Sequence, residues 1–284
     1  MPEKLPPNET VGPTSQWTAA VRALESQQPD CLFHDPWAAA LAGLEGKAWI
    51  EQRTPASVVP IVIRTCYFDD FLRRIVAQEG IQQVILVGAG LDTRGFRLNW
   101  IPGTRMFELD QPQVLAHKEQ ILKAAGAQPQ CARQTIGVDL NEPWKEALLQ
   151  SGFEPAARSL WLLEGLLFYL PNESIERILN TVTAPAAPGS WMGFDIVNRM
   201  TLSFPLTKPW VDMQEQAGAP WLGTMEDPAG YLAELGWQAS LTQAGAEDAH
   251  YGRWLLPVIP VTAPGMPHNW YVTAQKVEEQ TTAR

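Results

Sequence analysis

The 284-residue sequence predicts an α/β protein: a mostly parallel sheet whose last strand runs antiparallel, preceded by a helical N-terminal extension and interrupted by an inserted cap. Three observations carry this. Beyond residue 80, short apolar runs alternate with amphipathic stretches at the spacing of βαβ units. Before it, the chain has the 3.6-residue periodicity of helices alone. The first apolar run also stops abruptly at Gly88-Ala89-Gly90, the kind of turn that opens a ligand edge in such sheets. At 45% hydrophobic and 18% charged, the chain can bury a sizeable core.

The elements follow in order. Residues 1–15, rich in Pro, Asn and Glu, are predicted disordered and contain no apolar segment of a signal peptide. From Ser15, the residues Trp17, Ala20, Val21 and Leu24 mark one face of a first helix, which Gln28-Pro29-Asp30 ends. Asp35-Pro36 opens a second helix, with the aspartate as cap and the proline in the first turn. A third helix covers 57–78. Strands are expected at 83–87, 105–110, 134–140, 159–163 and 190–197, with helices at 114–125, 144–150 and 175–183 between them. Residues 199–227, bearing Pro, Trp and Met, break the pattern and are read as a cap over the sheet. A helix at 228–235, stopped by Gly236, leads to strands at 237–241 and 269–275, antiparallel to each other. Residues 1–284 therefore read as a single domain: a helical extension (1–80), a binding core (81–198), a cap insertion (199–227) and the C-terminal part of the sheet (228–284).

Composition excludes several function classes. With 31 acids against 21 bases and a net charge of −10, the chain as a whole is no binder of duplex nucleic acid, whose affinity begins with neutralising phosphates. The three cysteines, Cys31, Cys66 and Cys131, are odd in number and widely spaced, which argues against a disulfide framework and a zinc site; no metal is expected. The longest apolar stretch, 160–170, is short and contains Glu164, so no membrane span is expected. A cytoplasmic location follows as the expectation, and no oligomeric state is implied. The 12 tryptophans imply either a large core or an aromatic-lined pocket.

The chemistry-bearing residues gather at predicted strand ends. Gly88 and Gly90 let backbone approach a ligand, but the third glycine of the dinucleotide fingerprint is replaced by Thr93. Asp110 lies about 20 residues further on, at the end of the second strand, where an acid can accept from ribose hydroxyls. It could equally cap the helix after Gln111-Pro112. Asp139 ends the third strand before Leu140, and Glu164 interrupts two apolar runs just before Gly165. On the third helix, Ile61, Tyr67, Phe68, Phe71 and Ile75 all fall within about 60° of Arg64, while Asp69, Asp70 and Arg73 lie behind. A guanidinium on an apolar face requires an anionic partner. Either a core carboxylate such as Glu164 or Asp195, or a ligand carboxylate held bidentately, meets the need.

These residues resemble the leucine carboxyl methyltransferase family of class I S-adenosylmethionine-dependent methyltransferases, in particular its bacterial small-molecule O-methyltransferase branch. The matching pieces are Thr18-Ala19-Ala20-Val21-Arg22-Ala23-Leu24-Glu25, Asp35-Pro36, Arg64-Thr65 and Val87-Gly88-Ala89-Gly90-Leu91-Asp92-Thr93-Arg94. They continue with Phe107-Glu108-Leu109-Asp110, Val138-Asp139-Leu140 and Glu164-Gly165-Leu166-Leu167-Phe168-Tyr169-Leu170. The resemblance implies a Rossmann-like sheet and S-adenosyl-L-methionine as cofactor. It places Arg64 on the methionine carboxylate, Gly88, Ala89 and Gly90 along the methionine portion, Asp110 on the ribose, Asp139 and Leu140 at the adenine, and Glu164 at the amino end. Tyr169 falls near the reaction centre and is the candidate catalytic residue.

The function this implies is methyl transfer to a carboxylate or phenol oxygen of a small-molecule acceptor. A carboxylate, with pKa about 4, needs no base, whereas a phenol near 10 gains from one. None of His34, His117, His250 and His268 stands in a base-plus-orienter motif, which favours the carboxylate. The alternatives are protein C-terminal carboxyl methylation, a nicotinamide-dependent oxidoreductase, and a non-catalytic cofactor-binding regulator.

Overall fold

The computed structural model describes residues 13–278. The disorder expected for 1–12 lies outside the described residues, and residues 13–15 already belong to the first helix. The helices are α1 (Pro13–Ser26), α2 (Ala38–Ile50), α3 (Pro55–Glu79), α4 (Arg94–Arg97), α5 (Pro112–Ala124), α6 (Lys145–Gln150), α7 (Asn172–Thr183), α8 (Lys208–Gln216) and α9 (Pro228–Glu234). The strands are β1 (Gln83–Val87), β2 (Arg105–Asp110), β3 (Ala132–Gly137), β4 (Ser159–Leu163), β5 (Trp191–Val197), β6 (Trp237–Gln243) and β7 (Asn269–Lys276).

The seven strands form one sheet in the order β3-β2-β1-β4-β5-β7-β6. The first five run parallel, and β7 is antiparallel to both neighbours. Strand order reverses between β1 and β4, so a crevice opens at their carboxyl ends. Both strands are buried on both faces and carry no alternation, as central parallel strands should. One face of the sheet is covered by α3, whose Phe68, Phe71, Leu72 and Ile75 meet Val84, Leu86, Leu160 and Leu162. The other face packs Ile85, Phe107, Trp161 and Phe194 against Trp144, Ile178 and Val182.

Local chemistry explains the boundaries. A proline sits in the first turn of α3, and Gly80 closes the helix in the left-handed region. The α2 helix starts at Ala38 rather than at Pro36, because Asp35 is drawn elsewhere: its Oδ1 still accepts the Trp37 amide, but its Oδ2 takes Arg22 and Thr93. The third strand stops at Gly137, so Asp139 lies in the loop beyond it.

Trp144, Trp161 and Trp237 are fully buried, which assigns part of the tryptophan excess to the core. In the 199–227 segment, Trp210 and Met213 pack on a helical cluster with Trp17 and Trp49. Trp221 packs at a tilt against Phe168 with centroids 4.6 Å apart, and Leu222 donates its amide to the Phe168 carbonyl. The segment thus joins the N-terminal helices to the turn after β4. No helix among the described residues is long and apolar enough to cross a membrane.

One reading of α3 is corrected. Asp69 was expected on the outward side with Asp70 and Arg73, and those two are exposed. Asp69 is only 1% exposed, because α4 lies against that side of α3 and brings Arg94 and Arg97 onto its carboxylate.

Candidate active site

The turn after β1 passes through Gly88 and Gly90 at φ 70° and 45°. Gly88 and Ala89 both donate amides to the Leu109 carbonyl, and Gly90 donates to Asp110 Oδ2 at 2.6 Å. The tip of β1 is therefore laced to the end of β2. Beside it lies a cavity with about 670 Å³ of empty space, its open mouth included. Arg64, Gly88, Ala89, Gly90, Glu164 and Tyr169 line it from below, and Thr14, Ser15 and Thr18 of α1 line it from the N-terminal side.

A continuous ionic network supports the floor. Arg64 donates from Nε to Glu164 Oε1 (3.0 Å) and from Nη1 to Asp195 Oδ2 (2.9 Å). Glu164 Oε2 lies 2.7 Å from Arg94 Nη1, an ion contact without hydrogen-bond geometry. Arg94 also reaches Asp92 and Asp69, Arg97 holds both oxygens of Asp69, and Arg97 approaches Asp35, the partner of Arg22. Four arginines thus meet five carboxylates. Counted as ionised, the network carries one net negative charge.

Burial and pairing compete within it. Burial works against the charges of Arg64 and Arg94, but their carboxylate neighbours outweigh it and raise both guanidinium pKa values. Burial also opposes ionisation of Asp92, yet Arg94, Lys118 and Arg97 bring its pKa down to about 2. At Asp195 burial wins and the carboxyl is raised despite Arg64. Asp110 is raised likewise by burial, against the Gly90 and Gln111 amides. The Tyr169 phenol is raised, chiefly by burial, with Arg64 opposing.

The predicted site residues divide into two groups. Arg64, Gly88, Ala89, Gly90, Glu164 and Tyr169 come together at one cavity. Asp110 stands behind the glycine turn, with its other oxygen accepting the Gln111 amide at 2.7 Å. Asp139 is exposed and accepts the Asn141 amide, while Leu140 packs on the core beneath that loop. Both candidate core partners of Arg64, Glu164 and Asp195, are its partners at once. Periodicity missed Asp69, Arg94 and Arg97 as members of the site. The signal was the Asp92-Thr93-Arg94 sequence just after the glycine turn, where two opposite charges two residues apart can pair.

The sheet order, with a single antiparallel strand beside β5, and the glycine turn at the switch point define a Rossmann-like methyltransferase sheet of class I. Solved structures agree on the fold. A methyltransferase from Thermobifida fusca superposes with TM-score 0.58 at 18% identity, covering 93% of this chain and 94% of that one. A DUF574 family protein from Streptomyces avermitilis gives 0.57 at 15% identity, over 91% and 97%. Two relatives carry the name S-adenosyl-L-methionine-dependent methyltransferase. The one from Frankia alni is 37% identical over 268 residues, 87% of this chain and 91% of its own. The one from Streptomyces avermitilis is 36% identical over 274 residues, 90% and 93%. The leucine carboxyl methyltransferase family model matches residues 15–183. The chain belongs to the leucine carboxyl methyltransferase family and is a methyltransferase; the nicotinamide alternative is set aside.

Proposed function

We propose that the protein is an S-adenosylmethionine-dependent O-methyltransferase that esterifies a carboxylate of a small molecule. The observation that carries this reading is the cavity at the β1/β4 switch point, which among the described residues offers both charge signs but no histidine. The cofactor's amino-acid end is a zwitterion and its sulfonium adds one positive charge, which fits a network with one net negative charge. Arg64 lines the cavity, and its Nη2 makes no hydrogen bond among the described residues, so it retains donors for the ligand carboxylate. Glu164 faces the ammonium. The glycine turn lets the backbone run close to the methionine portion, and Asp110, with lone pairs beyond those used by Gly90 and Gln111, accepts from the ribose. Asp139 and Leu140 flank the adenine.

When bound, the cofactor supplies a methyl group already activated by its sulfonium, so the protein's work is orientation and exclusion of water. Tyr169 holds its proton through the neutral range and donates a hydrogen bond to the acceptor. No histidine is among the cavity-lining residues, and the Asp92 carboxylate there is paired with Arg94. An acceptor that must be deprotonated finds no free base among the described lining residues, whereas a carboxylate arrives ionised.

The test is transfer of label from methyl-labelled cofactor to panels of small carboxylic acids, phenols and peptides with a free C-terminus. The reading requires a small-molecule product that releases labelled methanol in alkali, as an ester does. Label found only in alkali-stable ethers, or only in peptide, would overturn it.

A further inference from the structure

We infer that Asp195 is a positioning residue for cofactor binding: it seats Arg64 against Gly165 so that the remaining guanidinium edge meets the ligand's carboxylate. The inference rests on the reading above that Arg64 faces the cofactor's amino-acid end.

Asp195 follows Phe194 on β5, which pairs with Leu163, so it stands beside Glu164 just past the end of β4. It shares a sheet face with Gly193, two residues earlier. A side chain at Gly193 would collide with Phe71 (2.7 Å) and crowd Phe68 (3.3 Å), so α3 packs directly on that notch. Arg64 precedes Phe68 by one helical turn and is thereby brought over Asp195. On β7, Tyr271 pairs across from Asp195 and donates its hydroxyl to the Pro60 carbonyl, fixing the start of the same helix.

The carboxylate of Asp195 is fully buried and divided between two duties. Its Oδ2 accepts from Arg64 Nη1 at 2.9 Å, and its Oδ1 accepts the Gly165 amide at 2.6 Å. Gly165 adopts φ +64°, and a Cβ there would lie 3.0–3.3 Å from Nη2, Cζ and Nη1 of Arg64. The guanidinium therefore lies against the bare face of the glycine. One carboxylate sets both the turn that carries Glu164 and the arginine beside it. Glu164 closes the arrangement through Nε, which among the described residues leaves Nη2 as the edge not already committed.

Glu164 and Arg64 thus reach the cavity as a unit of defined spacing, a negative group and a positive group side by side. Those are the two charges that the ammonium and carboxylate of one α-amino acid require. With Asp195 neutralised, Arg64 keeps its charge but loses its anchor, and the loss falls on ligands that possess an amino-acid end.

Two probes separate this role from a general structural one: S-adenosylhomocysteine, and 5′-methylthioadenosine, which has the nucleoside and thioether but no amino-acid end. Calorimetric titration of both is compared for the wild-type chain, Asp195→Asn and Gly165→Ala. Each variant's melting curve is recorded beside it. The expected result is a loss for S-adenosylhomocysteine of about ten- to a hundredfold in each variant, the worth of a hydrogen bond to a charged group. Methylthioadenosine affinity should change by less than about threefold, as fits a contact the probe never makes. Equal losses for both probes would overturn the positioning role, as would no loss for either. Should Asp195→Asn fail to fold, Gly165→Ala decides, since it displaces Arg64 with Asp195 in place. A wild-type chain that binds neither probe would instead refute the cofactor reading itself.

Discussion

Gly90 donates its amide to Asp110 Oδ2 at 2.6 Å while Gln111 donates to Oδ1 at 2.7 Å, so one carboxylate ties the glycine turn to the start of α5. The two residues are about 20 apart in sequence, the distance at which an acid in such sheets serves a ribose. Here the acid first serves the protein. It does not cap α5, whose N-cap is Gln111; its hold on the turn and its ligand role are compatible because each oxygen has a second lone pair.

Asp110→Ala leaves two amides without acceptors in a largely buried place, a loss of about 1–3 kcal/mol. A fall in Tm of roughly 5 °C should follow. Because the ribose is common to both probes, S-adenosylhomocysteine and methylthioadenosine should weaken together, unlike in Asp195→Asn. Asp110→Asn keeps one acceptor and should fall between. Selective loss of only one probe would contradict the ribose assignment.

Asp92 provides a pH signature. Its folded-state pKa is brought to about 2 from 3.8, so its contribution is fully present above the unfolded value and is lost as pH falls toward 2. The magnitude is on the order of 2 kcal/mol. Asp195 and Asp110 have the opposite sign: both are raised, so their burial costs stability above the ordinary carboxylate range and acid relieves it. Urea denaturation from pH 7 to pH 3 should show a constant gap between wild type and Asp92→Asn down to about pH 5, then a narrowing one. A gap that stays constant to pH 3 would remove Asp92 from the acid response.

Much of this was legible in the sequence, and the exceptions have physical causes. Strand and helix order followed from periodicity, because β1 and β4 are continuous apolar runs and α3 carries a single stripe around Arg64. Gly88, Asp110 and Glu164 could be placed at or just past strand ends for the same reason, whereas Asp139 could not, because the largely exposed β3 stops at Gly137. Asp69 could not be placed, since the wheel of one helix records only its face toward the sheet, and α4 packs on another side. Nor could the choice between core and ligand partners for Arg64 be made. A guanidinium has five donors, and here Glu164 and Asp195 take two edges while leaving a third. The cap tryptophans were ambiguous because an indole fills a core or lines a pocket equally well; Trp210 packs on the N-terminal helices and Trp221 on Phe168.

Tyr169 separates acceptor chemistry from cofactor binding. Burial raises its phenol, and Arg64, Trp221 and Thr14 only partly offset this, so it is protonated throughout the working range. Tyr169→Phe should therefore leave the pH–rate profile between pH 6 and 9 unchanged in shape. The rate constant should drop about five- to tenfold, the worth of one hydrogen bond of about 1 kcal/mol. S-adenosylhomocysteine affinity should hold within about twofold. A loss beyond about a thousandfold with an altered profile would make Tyr169 an acid–base group instead.

Arg94 joins the glycine turn to Glu164, and its removal tests whether the network is structural as well as functional. Its side chain is 2% exposed and meets Asp69, Asp92 and Glu164. Arg94→Met would leave Asp92 without its ion-pair partner, while Asp69 would still have Arg97 and Glu164 would still have Arg64. Breaking a buried ion pair costs about 3–5 kcal/mol, because the surviving charge has no partner. A fall in Tm of roughly 10 °C is expected in thermal denaturation. Coupled replacement should distinguish the lost charge pairing from lost packing: adding Asp92→Asn to Arg94→Met removes the stranded charge and should restore about half of the loss, a coupling seen in a double-mutant cycle. If the two changes instead add without coupling, Arg94 stabilises the turn by volume and not by charge.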